Sequence, residues 1–339
     1  MHSRLKSLTM CSSNDGDGSD KQLEFQYIFL VYVGRSGSTF LARQIAERTN
    51  DVLVFAETKL VDNLLAISEE KFQSMGLESR VSLIKQDPRW HNLGIDENTI
   101  NRLCSGSVSR VALFNNICRA KLNGRIDPKY ILVKNGASVF NSSQIAAFFN
   151  KEVLFLHISR DPRGSTCSRM RKAPVYKERA GVRMEDPWFL ARFWLRYHEQ
   201  VKNIKENGVK VIETRYENLI TAPEETLSNL FDVLGIKQEP VSSDSIMLSD
   251  KEMEEKHKNV LSPALSDRLH AWQDELPWQS GVTIEAICSD HIEKMFFTRE
   301  LSPHLKYSVL LKMYFKHVWY SAIRIKEKVA GSNRRIIRK

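Results

Sequence analysis

The sequence predicts an α/β fold, a parallel β-sheet with helices on both faces. Three observations predict it. Short, continuous apolar runs such as "YIFLVYV" (27–33) and "VLFLHIS" (153–159) read as strands buried on both sides. Segments with helical spacing separate them, the order expected of strands joined by crossover helices. No internal repeat and no linker divides residues 25–300.

The elements follow in order. Residues 1–24 contain the polar stretch "CSSNDGDGSD" and are expected to be a disordered N-terminus. The run 27–33 is the first strand, followed by a helix from about Ser38 to Arg48. "VLVF" (52–55) is a short strand. Residues 60–122 read mostly helical and include a loop, "DPRWHNLGID", near Pro88. "YILVK" (130–134) is a strand, with a helix near Ser142–Asn150 after it. The strand 153–159 leads into a helix after Pro162. Residues 186–207 form a helix ended by Gly208. Its aromatic stripe, Trp188, Phe189, Phe193, Trp194 and Tyr197, is expected in the core, with at most one ring lining the acceptor pocket. "VKVIET" (209–214) is the last strand. "APEETLSNLFDVLG" is a helix with Pro near its start and Gly at its end.

The chain carries a net charge of +9. Residues 305–339 hold ten Lys or Arg and one acid, Glu327, so the tail accounts for all of it and the rest is close to neutral. A nucleic-acid surface spread over the body is therefore not supported, whereas a basic tail is. Ser302 and Pro303 suit the start of a tail helix and Gly331 its end. Leu311, Phe315, Val318, Ala322, Ile325 and Val329 form one apolar stripe on it. Two readings stand for residues 305–339: a helix packed on the body with a solvated basic face, or a peripheral contact with anionic lipid. The expected division is thus a disordered 1–24, one α/β domain over 25–300, and a basic amphipathic helix and tail over 301–339.

The five cysteines are scattered, with no C-x-x-C pair, which argues against a disulfide framework. Cys167 is expected to be a small buried thiol. The nine histidines form no metal-binding spacing, and no zinc site is expected. The start, "MHSRLKSLTM", is too short and polar for a secretory segment, and no apolar run approaches a membrane span. The expectation is a soluble, cytoplasmic chain, or a Golgi-lumenal one if an N-terminal anchor is missing.

Two stretches carry the chemistry. In "GRSGST" (34–39) the glycines allow tight turns, so several N–H groups can face one anion at the start of a helix. Arg35 supplies charge there, and the Gly-Lys-Ser/Thr ending of ATP- and GTP-binding loops is missing. In "HISRDPRGSTCSRM" (157–170) a second strand ends in a charged, hydroxyl-rich turn, with Asp161 suited to an N-cap and Pro162 to the first helical position. Nucleotide hydrolases commonly have a magnesium-holding Asp at such a strand end; here it is Arg160, which favours guanidinium over metal. Two basic sites on one sheet edge want a ligand anionic at both ends, such as a nucleotide phosphorylated at its 5′ and 3′ positions.

"GRSGSTF" resembles the 5′-phosphosulfate loop of sulfotransferases, especially carbohydrate sulfotransferases and their bacterial relatives. "SRDPRGSTCSR" is similar to their 3′-phosphate motif, which implies that Arg160 and Ser168 hold the 3′-phosphate. "TRYENLITAPEETLSNLFDVLGI" is similar to their Tyr-Glu-Asp-Leu segment, with Asn218 in place of the Asp, and implies Tyr216 near the adenosine. The resemblance spans roughly residues 27–300. It implies a P-loop NTPase-like sulfotransferase fold and 3′-phosphoadenosine 5′-phosphosulfate (PAPS) as co-substrate. It also implies metal-free in-line transfer to a hydroxyl of a carbohydrate or small metabolite.

The resemblance implies Arg35, Ser36, Gly37, Ser38 and Thr39 as donor-binding residues, with Arg35 also stabilising charge on the departing phosphate. Lys134, closing "YILVK", matches a strand-end lysine of the family that shares that task; the other reading is a charged strand end in solvent. Where cytosolic relatives place a catalytic His two residues later, this chain has Gly136. "LVFAETK" instead puts Glu57 where carbohydrate sulfotransferases place a Glu, with Thr58 replacing their Pro. Glu57 is the candidate general base, or else a surface Glu capping the next helix. The resemblance further implies that "KHKNV" (256–260), a basic segment before the last helices, lies near the 3′-phosphate. A P-loop kinase or hydrolase, and a non-catalytic nucleotide-binding module acting through its tail, are the competing classes.

Overall fold

A computed structural model describes residues 25–55, 57–87, 89–122, 128–150, 152–180, 186–239 and 268–295, with eight residues between 308 and 319. The N-terminus, the segment 256–260 and the rest of the tail lie outside the described residues.

Among the described residues, five parallel strands form one sheet in the order β2-β3-β1-β4-β5. They are β1 (Gln26–Tyr32), β2 (Val52–Phe55), β3 (Tyr130–Lys134), β4 (Val153–Ser159) and β5 (Val211–Arg215). β5 starts two residues later than its apolar run suggests. It is an edge strand, and its ladder begins where Val211 meets Phe155 of β4.

The pleat sends alternate side chains to two cores. Tyr27, Phe29 and Val31 of β1 join Ile131, Val133 and Phe155 on one face. Ile28, Leu30 and Tyr32 join Leu132, Leu156 and Ile158 on the other. This is why the strands read as unbroken apolar runs.

The second face is covered by α1 (Ser38–Arg48), α10 (Tyr216–Thr221) and α11 (Pro223–Leu234). The first face is covered by the helices between β2 and β4: α2 (Leu60–Leu65), α3 (Glu69–Ser74), α4 (Leu77–Lys85), α5 (Glu97–Gly106), α6 (Arg110–Leu122) and α7 (Ser142–Phe148). The later helices α8 (Pro162–Ala180), α9 (Pro187–Glu206), α12 (Trp272–Glu275) and α13 (Trp278–Lys294) complete it.

Helix ends follow the expected chemistry. Asp186 caps α9 by accepting from the Trp188 N–H at 3.1 Å, and Gly208 follows the helix at φ 74°. Pro223 opens α11 and Gly235 closes it at φ 61°. The aromatic stripe of α9 is only half in the core. Trp194 and Tyr197 are buried, whereas Trp188, Phe189 and Phe193 are partly exposed because they lie off the line of Leu190, Ala191, Trp194, Tyr197 and Val201 that is buried. Among the described residues, no helix is long and apolar enough to cross a membrane.

Candidate active site

Each strand delivers one candidate residue to the same edge of the sheet: Arg35 after β1, Glu57 after β2, Lys134 at the end of β3, Arg160 after β4 and Tyr216 after β5. Ligands of open α/β sheets bind at this carboxyl edge.

The loop after β1 turns sharply. Ser36 N–H donates to the Val33 carbonyl at 3.2 Å, and both Arg35 (φ 74°) and Gly37 (φ 81°) take the left-handed region. α1 begins at Ser38 with no side-chain cap, so its first amides and dipole face outward as an anion seat. Ser36 is buried, and its hydroxyl finds no partner among the described residues. A buried hydroxyl left in this state wants an acceptor of the kind a phosphate supplies.

Gly37 is obligatory for a second reason: a Cβ there would lie 2.3 Å from Cδ2 of the Tyr216 ring. Gly37→Ala therefore combines a ring clash with a left-handed backbone. It is expected to cost about 1–3 kcal/mol of nucleotide binding, measurable by calorimetry.

The sequence suggests two separate anion cradles; in the structure they are joined. β1 and β4 are hydrogen-bonded neighbours, paired as far as Tyr32 and Ile158, so the loops that leave them meet. Arg35 does not stay over its own loop. Its Nε donates to the Ser168 hydroxyl at 3.2 Å, and its carbonyl accepts from Arg160 Nη1 at 2.9 Å. Arg160 is buried with its guanidinium 4.1 Å from the centre of the Tyr216 ring, and Trp194 Nε1 donates to its carbonyl at 3.1 Å. Burial lowers its pKa, while Tyr216 and Glu217 favour the charged form. Tyr216, expected near the adenosine, thus lies between Gly37 and Arg160.

Two arginines of this region were not singled out in the sequence. Arg169 follows Ser168 directly, and its Nη2 lies 3.0 Å from where a Cβ of Gly34 would be. Arg163 is buried between two carboxylates, with Nη2 at 2.7 Å from Asp161 and Nη1 at 2.6 Å from Glu285, and stacks 3.9 Å over Trp272. Asp161 also accepts the Arg163 N–H at 2.8 Å, the expected N-cap of α8. Cys167 is buried and free, and burial raises its pKa.

The other half of the edge is built around Lys134, which is buried rather than solvated. Its Nζ donates to Glu57 Oε1 at 2.9 Å and to Tyr32 Oη at 3.2 Å. Tyr32 Oη donates to Glu57 Oε1 at 2.6 Å and is also hydrogen-bonded to Ser38 of the first loop. Arg89 Nη1 pairs with Glu57 Oε2. Burial alone would raise the Glu57 pKa; the Lys134 ammonium, Tyr32 and Arg89 outweigh it and hold the carboxyl at about 2. Burial, reinforced by Glu57, pushes the Tyr32 phenol well above its usual range.

Glu57 does not cap the next helix. The Thr58 hydroxyl accepts from Leu60 N–H at 3.0 Å and Asp87 from Lys59 N–H at 2.6 Å. Gly136 also has a reason, since any Cβ there would meet the Tyr32 carbonyl at 2.7 Å. The sequence reading missed Tyr32 and Arg89. Their only signals are a polar ring closing an apolar strand and an Arg within "DPRW".

A family model described as "Sulfotransferase family" matches residues 27–240, from β1 through β5. The chain belongs to the sulfotransferase family. Among solved structures, this sulfotransferase is similar to the "Sulfotransferase Domain from the Curacin Biosynthetic Pathway". That match has 16% identity and a TM-score of 0.54 over 83% of this chain and all of that one. It is also similar to the "Sulfotransferase Domain from the Synechococcus PCC 7002 Olefin Synthase", with 14% identity and a TM-score of 0.51 over 80% of this chain and 98% of that one. At these identities the likeness is one of fold. No curated protein matches by sequence. Within the described residues of the sulfotransferase, no group of three or more His, Cys, Asp or Glu is arranged to hold a metal ion.

Proposed function

We propose that this sulfotransferase moves the sulfuryl group of PAPS to a hydroxyl of a carbohydrate or small metabolite, by in-line transfer without metal. The catalytic domain in this reading is residues 25–300. One observation carries it: two runs of contacts along the same sheet edge, both starting from the loop after β1, one joining Arg35 to Arg160 and Ser168, the other joining Ser38 through Tyr32 to Glu57 and Lys134. A guanidinium-rich end, an amide-lined loop and an ammonium–carboxylate pair suit a donor that is anionic at two points beside an acceptor that must lose a proton.

The donor supplies an activated sulfuryl group on a phosphate leaving group. Arg160 and Ser168 bind the 3′-phosphate, and the first loop, Ser36 to Thr39, binds the 5′ end through amides and the Ser36 hydroxyl. Lys134 stabilises charge on the departing phosphate. Arg35 ties the two loops together and adds charge between them. Glu57 takes the acceptor proton, held in place by Tyr32. Its basicity is low while Lys134 stays on it, and rises when that ammonium turns toward the phosphosulfate.

A calorimetric titration with adenosine 3′,5′-bisphosphate against magnesium ATP tests the reading. Tight binding of the bisphosphate alone is expected, and preference for magnesium ATP would restore the kinase class. Arg160→Ala should weaken the bisphosphate by about 1.5–3 kcal/mol, the scale of a charged hydrogen bond. Unchanged affinity would remove Arg160 from the site.

A further inference from the structure

We infer that the face formed by Leu311, Tyr314, Phe315, Val318 and Trp319 docks on an anionic membrane surface. The described residues between 308 and 319 are helical. The five side chains are 60%, 64%, 65%, 49% and 68% exposed. The other exposed large apolar side chains among the described residues, Leu77, Val108, Phe140, Val233 and Trp278, are scattered singly, so this cluster is a patch and not background. At helical spacing the five fall within an arc of about 140°.

Their exposure removes the reading in which this face packs on the body. Of the six stripe positions expected from the sequence, Leu311, Phe315 and Val318 are described, and Tyr314 and Trp319 widen the stripe. Ala322, Ile325 and Val329 lie outside the described residues.

Charge selects the occupant. Residues 305–339 carry ten basic residues against one acid. Two copies of such a helix would repel one another face to face, which disfavours a second copy of this chain. A bilayer rich in anionic headgroups complements the charge and accepts the apolar face together. Each basic residue near such a surface adds on the order of fivefold in affinity. Trp and Tyr, with apolar rings and polar tips, suit the interface itself. Exposed Lys312 borders the apolar arc, where its stem can lie along the surface and its ammonium reach phosphates.

The full chain is mixed with vesicles of phosphatidylcholine containing about 30% phosphatidylserine, or of phosphatidylcholine alone, and floated on a density gradient. Flotation with the anionic vesicles is expected, at least about tenfold weaker with neutral ones and weakened by raising salt from about 0.1 to 0.5 M. The double substitution Phe315→Ser, Trp319→Ser should lower it by on the order of tenfold or more, with the thermal midpoint of the protein unchanged. Lys306→Glu with Lys312→Glu should do the same without touching an apolar residue. Absence of flotation, or flotation indifferent to both pairs, overturns the inference. So does a concentration-dependent dimer abolished by Phe315→Ser, Trp319→Ser, which would assign the face to a second copy.

Discussion

Glu57→Gln is expected to lower turnover by about 10²–10⁴-fold, the usual contribution of a general base, while affinity for adenosine 3′,5′-bisphosphate stays nearly unchanged. The amide keeps the shape of the carboxylate and still accepts from Tyr32 and Lys134, whose hydrogen bonds to Glu57 measure 2.6 and 2.9 Å. The Tyr32 and Lys134 contacts are therefore kept, while the proton acceptor and the ion pair of Glu57 Oε2 with Arg89 are lost. Loss of turnover and nucleotide affinity by equal factors would show that Glu57 positions Lys134 instead of accepting a proton.

The pH profile adds an independent check. In the free protein the Glu57 carboxyl sits at about 2, below its ordinary value, so it is ionised at every pH well above that. The acid limb of kcat/KM for the donor should consequently lie below the usual carboxylate range, while the limb of kcat, set with Lys134 drawn to the phosphosulfate, should lie higher. Coincident limbs in the two profiles would contradict a shift of Lys134 away from Glu57.

Arg163→Ala is expected to destabilise the fold by about 3–5 kcal/mol, because it strands two buried carboxylates. Arg163 is almost wholly enclosed, with side-chain exposures of 2% for Arg163, 9% for Asp161 and 4% for Glu285. The pairing ties the start of α8 to α13, and Trp272 covers the guanidinium at 3.9 Å. A fall in thermal midpoint on the order of 10 °C should follow. Nucleotide affinity should fall with it, because Asp161 adjoins Arg160 in the chain. A change in stability below about 1 kcal/mol would mean that water reaches the carboxylates once Arg163 is gone.

Much of the fold is legible in the sequence. β2, β3, β4 and α1 are found at the residues their apolar runs and flanking turns mark. The reason is local. A strand buried on both faces must be apolar throughout, and a helix after a Gly-rich turn announces its own start. The aromatic stripe of α9 is where such reasoning falls short. Helical spacing alone does not say which side of a wide stripe is enclosed, and of the five rings Trp194 and Tyr197 are the buried ones.

The site is legible in its parts and not in its assembly. Ser36 and Arg160 can be singled out because charged or hydroxylated residues interrupt apolar patterns at strand ends, and the resemblance to sulfotransferases adds Ser168 and Glu57. Tyr32 and Arg89 cannot. One looks like the last member of an apolar strand, the other like any loop arginine, and each acquires meaning only beside Glu57, 25 and 32 residues away in the chain.

By itself the sequence determined which segments are strands, which turns can face an anion, and that the charge lies in the tail, since each depends on neighbours within a few residues. Tertiary structure alone decided the order β2-β3-β1-β4-β5. From that order come the meeting of the β1 and β4 loops through Arg35 and Ser168, and the closing of Lys134 onto Glu57. The physical reason is that a parallel sheet sets distant strand ends side by side, and hydrogen-bond chemistry acts only across that last 3 Å or so.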